Sequence, residues 1–295
     1  MFDQLRSFFK FEMKVQPKTG FLIASGSDPI DPTFPDISFV RTPYFGMDSP
    51  VPFIPGSSFK GVVRATSESM LLGLGKYVCD LSDRKKTCSY QSKMSTRDPK
   101  EKIYSGSCFA CRLFGSNVVG SVIRYEDFFP FQKPEDWESI DLSAHTVVRN
   151  GIQIQRSTGS VASKALFNFE SIDLPFYGGI TMKNPELWQI GLFLNAIRLF
   201  NSGLQRLGHS KSRGMGKVQI EFEKLTIISV KPSTISLTDY NGSFRTKDLP
   251  LPSEIVEMGE VQDQLLWEIT WEGDTVEQVL GYLLDQANPA LREVR

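Results

Sequence analysis

Four cysteines are the most concentrated source of chemistry in this chain: Cys79, Cys88, Cys108 and Cys111. Cys108-Phe109-Ala110-Cys111 is a C-x2-C knuckle that can present two thiolates to one metal, and the first pair is spaced C-x8-C. Four thiolates around one Zn²⁺ make a closed tetrahedral site, structural rather than catalytic. The intervening Asp80–Thr87 and Ser89–Ser107 are polar, with little apolar material to fold around. A metal is a physical substitute for such a missing core. Two disulfides and ordinary unliganded buried thiols are the competing readings. Nothing in the sequence indicates the oxidising compartment that disulfides need.

A second kind of chemistry is anion binding. Gly208-His209-Ser210-Lys211-Ser212-Arg213-Gly214-Met215-Gly216-Lys217 joins an expected helix to an expected strand. Its glycines permit tight turns and close backbone approach, and exposed amides in such a loop can receive phosphate oxygens. Lys211, Arg213 and Lys217 add charge-assisted donors. The order G-x4-G-K-[ST] of a Walker loop is absent, and a purely steric glycine turn explains the loop equally well. Arg149-Asn150-Gly151 and Gln155-Arg156-Ser157-Thr158-Gly159-Ser160 form another basic and polar segment. Arginine and hydroxyls at a hairpin tip suit phosphate and ribose contacts, and a solvent-exposed hairpin is the plain alternative.

The elements that must hold these residues follow from periodicity. Phe8–Val15 reads as a strand, and Gly20–Pro52 is a long loop rich in Pro, Gly and Asp, of a length that is uncommon without a function. Phe59–Met70 carries apolar residues one helical turn apart behind a serine N-cap. Val118–Phe128 is an expected strand, and Ala144–Phe169 two strand arms around a polar middle. Asn184-Pro185-Glu186 opens a helix with Pro at its first position, and Leu187, Ile190, Leu194, Ile197 and Leu204 form its buried stripe. Lys217–Glu223 alternates as a strand, and Leu265, Trp267, Ile269 and Trp271 share one face of another. That order predicts an α+β core with a mostly antiparallel sheet.

The 295 residues are 40% hydrophobic and 23% charged, ample for a sizeable core. A net charge of −1 hides an asymmetry, since residues 221–295 carry 14 acidic and 6 basic side chains while residues 1–220 carry 27 basic and 20 acidic ones. A polyanion is therefore better held by the first three-quarters of the chain. No run has the roughly 20 apolar residues of a membrane span, and no secretory segment is evident. A cytoplasmic location with no membrane partner is the expectation.

Four segments, taken together, resemble a known family. Pro55-Gly56-Ser57-Ser58-Phe59-Lys60-Gly61-Val62-Val63-Arg64 is similar to the I-P-G-S-S-x-K-G-x-x-R signature of the RAMP superfamily of CRISPR-associated proteins. Cys111-Arg112-Leu113-Phe114-Gly115 resembles its C-x-L-F-G element. Gly151–Glu170 resembles its central β-hairpin, and Gly208–Gly216 its terminal glycine-rich loop. The nearest form is the backbone subunit of type III CRISPR effector complexes. The resemblance implies a ferredoxin-like, RNA-recognition-type core over residues 1–225 with a thumb hairpin at 141–170, and the cysteines mark a zinc-binding insertion at 73–115 within it. An acidic extension, 226–295, would pack on or beside that core. It implies a guide RNA and a complementary target RNA as partners, beside neighbouring backbone subunits and other effector subunits. Ser57, Ser58, Lys60 and Arg64 would hold guide phosphates, as would Arg149, Arg156, Ser157 and Thr158 on the thumb and His209, Lys211 and Arg213 in the glycine loop.

Members of this family can cut the paired target RNA with an aspartate in the loop after the first strand. That loop holds Asp28, Asp31, Asp36 and Asp48. Asp36-Ile37-Ser38-Phe39-Val40 comes nearest to the family's D-x-P-V, with one extra residue and without the proline, and Asp31-Pro32 is second. Such a carboxylate could place Mg²⁺ or Mn²⁺, or orient a ribose 2′-hydroxyl against its own phosphate. An inactive structural RNA-binding subunit and a repeat-RNA-processing nuclease are the other readings. The latter fits less well, because neither His145 nor His209 is placed as a general base.

Overall fold

The structure, a computed structural model, describes residues 4–26, 35–263 and 265–294. Its central strand β1 (Ser7–Pro17) alternates strictly. Phe9, Phe11, Met13 and Val15 are buried on one face, while Lys10, Glu12 and Lys14 stand on the other. Two short strands, β2 (Arg41–Thr42) and β3 (Val51–Pro52), pair with each other in the following loop and lead to helix α1 (Gly56–Gly73). The expected serine cap is not what starts α1. Pro55 is the N-cap and no side chain of its own caps the helix. The Gly56 amide instead donates to Asp127 Oδ1 at 2.7 Å, so an orphan donor of the first turn is satisfied from elsewhere in the chain.

The cysteine segment folds into α2 (Cys88–Gln91), α3 (Lys100–Ser105) and α4 (Phe109–Phe114). It has more apolar material than its composition promised, with Met94, Ile103, Tyr104 and Phe109 buried. The expected strand at 118–128 is confined to β4 (Ile123–Tyr125): the Val118 and Val119 amides turn back onto Ser116 Oγ at 3.3 and 3.4 Å, and the Val122 amide donates to the Leu113 carbonyl rather than to a strand. The hairpin β5 (Thr146–Ile154) and β6 (Val161–Ile172) follows, and then β7 (Phe176–Lys183).

Helix α5 (Leu187–Asn201) begins later than predicted. Asn184 adopts a left-handed φ of 49°, and its carboxamide oxygen accepts the Arg6 and Ser7 amides at 2.8 and 3.2 Å. The helix therefore starts only beyond Pro185, with Glu186 as N-cap. Leu204 falls outside the helix and is 78% exposed. The chain returns through β8 (Val218–Ser229), longer than expected, so residue 225 lies inside a strand rather than at a boundary. Hairpin β9 (Thr234–Tyr240) and β10 (Phe244–Pro250), helix α6 (Ser253–Glu257), β11 (Glu260–Asp263), β12 (Trp267–Glu272) and α7 (Asp274–Glu293) complete it. Leu265 precedes β12 and is 97% exposed, unlike Trp267, Ile269 and Trp271.

Among the described residues the main sheet has six strands in the order β11-β12-β8-β1-β7-β4, antiparallel throughout. Helices α1 and α5 lie over its apolar face, with Phe193 5.4 Å from Phe11 and Phe200 6.2 Å from Phe59 between ring centroids. The acidic extension is built into this core. Strand β12 pairs with β8, and α7 buries Val276, Val279, Leu280, Leu283, Leu284, Ala287 and Leu291 as one stripe, the spacing of an amphipathic helix.

Candidate functional site

The four cysteines converge. Cys108 is the N-cap of α4 and Cys111 lies one turn later, so both thiols leave the same side of the helix start; Cys88 opens α2 and Cys79 precedes it. All four are free and buried, and their sulfurs lie within 4.8 Å of one another. Cys79 Sγ is 3.5 Å from Cys111 Sγ and 3.7 Å from Cys108 Sγ. A tetrahedron of sulfurs at about 2.3 Å from a metal has edges of about 3.8 Å, whereas a disulfide needs about 2.05 Å. The cluster thus has the dimensions of a four-thiolate metal site and none of those of two disulfides. The Cys108 amide also donates to Cys88 Sγ at 3.1 Å. Hydrogen bonds from Cys111 and Cys88 hold the Cys108 thiol well below its ordinary value, and the Cys88 thiol, bonded to Cys108, is pushed up to about 12. Four thiolates gathered in a buried place need a cation to oppose their charge.

Helix α1 presents two neighbouring stripes. Ser57, Ser58 and Gly61 face outward, while Lys60 and Arg64 lean toward the cysteine centre. The guanidinium of Arg64 is held within the protein: Nε donates to Glu68 at 2.7 Å, Nη1 to the Gly115 carbonyl at 3.1 Å and Nη2 to Cys111 Sγ at 3.5 Å. Burial works against its charge, yet Glu68 and Cys111 raise its pKa on balance. Lys60 has no acidic partner among the described residues, and burial, then Arg64, lowers its pKa. Both line a groove of about 440 Å³ with Thr87, Ser89, Ser116 and Asn117.

On the other side of the outward stripe the glycine loop closes in. Gly208 and Gly216 have φ of 83° and 76°, and a Cβ on either would stand 2.2 Å from the Leu22 carbonyl oxygen or 2.1 Å from that of Leu207. The loop can therefore bind against the turn after β1, where the His209 amide donates to Leu22 at 2.7 Å and the Gly216 amide to Gly20 at 3.3 Å. The result is an apolar cleft of about 350 Å³ lined by Ile23, Ala24, Ser58, Val62, Leu207 and His209. The Ser-Ser helix start and the glycine loop, 150 residues apart in sequence, thus share a wall. Lys211 and Arg213 stand exposed at the loop's turn with no acidic partner among the described residues. The open sheet face offers less to an anion, since Lys10, Lys14 and Lys224 there pair with Glu12, Glu221 and Glu272.

The hairpin stands apart from this cleft except at its base, where the Arg149 guanidinium reaches within 3.8 Å of the position a Gly20 Cβ would take. Arg156, Ser157 and Thr158 lie exposed at its tip. Residues 35–41 run along β6: Ile37 and Phe169 form a parallel bridge, and Arg41 makes a two-pronged ion pair with buried Glu170, at 2.5 and 2.9 Å. Asp36 is exposed, with Oδ2 accepting the Asn168 amide at 2.8 Å and its own amide donating to Asn168 Oδ1 at 2.6 Å. Asp28 and Asp31 lie outside the described residues, and Asp48 is exposed. His145 pairs with Asp173 at 2.9 Å beside the hairpin base. Sequence reasoning missed Asp127, Asn168 and the Arg41–Glu170 pair. Only Glu170, inside the quoted hairpin segment, carried any signal.

No helix among the described residues is long and apolar enough to cross a membrane. No curated protein matches the chain. The family model for the RAMP superfamily matches residues 26–219, a span that holds α1, the cysteine centre, the hairpin and the glycine loop, and the protein belongs to that superfamily.

Proposed function

We propose that this protein is a guide-RNA-binding backbone subunit of a type III CRISPR interference complex in the cytoplasm, and that it cuts complementary target RNA through Asp36 with Mg²⁺ or Mn²⁺. The observation that carries the RNA reading is the cleft where α1 and the glycine loop meet, with Lys211 and Arg213 exposed on that loop and Lys60 on the neighbouring stripe of α1, cations with no acidic partner among the described residues. Such cations bind backbone phosphate, and an apolar cleft beside them accepts a base or ribose edge. Strand order β8-β1-β7-β4 with α1 and α5 on one face supports a ferredoxin-like core, the split βαβ arrangement. Ser57, Ser58 and His209 would add hydrogen bonds at the cleft, and Arg149, Arg156, Ser157 and Thr158 would meet the strand along the thumb. Zn²⁺ is the ion that four thiolates of this spacing suit, holding the insertion closed with no open position for chemistry.

A second reading, an RNA-binding subunit without nuclease activity, is favoured by one observation: Asp36 already gives one carboxylate oxygen to Asn168. The two readings part in a single experiment. The complex is purified from its host, its RNA is sequenced, and complementary target RNA is added with Mg²⁺ or Mn²⁺. Recovered guide RNA with target cleavage supports the full proposal. Guide RNA without cleavage supports the structural subunit, and no bound RNA rejects both.

A further inference from the structure

Arg64 belongs to the segment whose resemblance places it on RNA phosphate, yet its contacts point elsewhere. Its side chain is only 14% exposed, and three of its donors already have protein acceptors in Glu68, Gly115 and Cys111. Its guanidinium carbon also lies 5.8 Å from the centre of the Phe114 ring. Every one of those acceptors except Glu68 is in or just after α4, the helix that carries two of the four cysteines.

We infer that Arg64 is the outer-sphere partner of the four-cysteine metal centre, and that it fastens the centre to α1. The inference rests on the cluster holding a metal ion. Four thiolates around one divalent cation leave two surplus negative charges in a buried place, which is costly unless opposed. The Cys108 amide relieves one sulfur, Cys88. Arg64 supplies the opposing charge at a second, Cys111, and its bond to Gly115 keeps the fork aimed there. Glu68 takes the Nε edge and turns the two Nη groups toward the cluster. Lys60, one turn earlier on the same stripe, makes no such contact. The two basic residues of this helix line the same groove but differ in their contacts: the Arg64 fork is engaged by Glu68, Gly115 and Cys111, and the Lys60 ammonium is left for a ligand.

The test measures zinc affinity by chelator competition on the full chain, and binding of an unstructured RNA oligonucleotide at saturating zinc. Arg64→Met should weaken zinc binding by ~10–100-fold, as loss of an outer-sphere partner does, with RNA affinity at full zinc occupancy close to wild type. Arg64→Lys keeps the charge and most of the packing but cannot reach Gly115 and Cys111 together, so its zinc affinity should fall between the two. It also keeps the test decisive if Arg64→Met fails to fold. Lys60→Met should show the opposite pattern, with zinc retained and RNA binding weakened. Wild-type zinc affinity in Arg64→Met and Arg64→Lys overturns the inference, as does loss of RNA binding by either at full zinc occupancy. A wild-type chain that takes up no zinc removes the metal centre itself, a result distinguishable from both.

Discussion

Replacing Lys60, Lys211 and Arg213 together by glutamine tests the proposed phosphate contacts most directly. Each of the three is a cation with no acidic partner among the described residues, so each is available to a phosphate at no cost in internal ion pairs. Arg64 is left in place because its donors are taken. Each single-strand phosphate contact contributes roughly 0.7 to the log–log dependence of affinity on salt, so three lost contacts should flatten the slope by about 2.1. Between about 50 and 200 mM salt the wild-type advantage over the variant should then shrink by about 18-fold. Fluorescence anisotropy with two RNA oligonucleotides of unrelated sequence is the assay. The loss should be equal for both, because phosphate contacts carry no base information. An unchanged slope and affinity would show that these side chains only decorate the surface, and a loss confined to one sequence would mean that they read bases.

Other outcomes follow from the same geometry. Elemental analysis should find about one zinc per chain, and Cys108→Ser should abolish it while opening the α2–α4 insertion to hydrogen exchange and leaving the main sheet protected; protein never exposed to chelator yet free of zinc refutes this. Asp36→Ala should abolish single-turnover cleavage of target RNA with guide occupancy intact, while Asp31→Ala retains it. The lost Asn168 contact should lower stability by only about 1 kcal/mol, and equal cleavage rates would remove Asp36 from the chemistry. Gly208→Ala should cost well beyond the ~1–2 kcal/mol of a left-handed non-glycine residue, since its Cβ meets a carbonyl oxygen at 2.2 Å; Gly214→Ala, with open space around it, should cost no more than that range, and equal shifts in melting would contradict the packing argument. Burial raises the Glu186 carboxyl above its ordinary 4.5, so the folded chain holds that proton more tightly than the unfolded one. Its contribution is fully present below the ordinary value and is lost as pH rises through the folded one. Denaturant unfolding at several pH values should show that slope in wild type and not in Glu186→Gln, and parallel profiles would refute it.

What the sequence determined by itself was local. Alternation in Phe9, Phe11, Met13 and Val15 identified β1, apolar residues a turn apart identified α1, and glycine punctuation marked the loop at 208–216, because a strand's or helix's periodicity is written in neighbouring residues. The cysteines were legible as one cluster for the same reason, lying close in sequence with a C-x2-C pair. The stripe of α7 is written in the same local way at Val276, Val279, Leu280 and Leu283, within a segment whose composition is dominated by acidic charge. Other features depended on partners far along the chain. Asp127, 71 residues away, caps α1 in place of its own serines; Asn168, 132 residues away, receives Asp36; and β12 completes the sheet beside β8. Arg64 shows the difference most sharply. Its motif names a helix and a positive charge, but whether that charge meets an RNA phosphate or a cysteine sulfur is decided by which surface α4 brings against it.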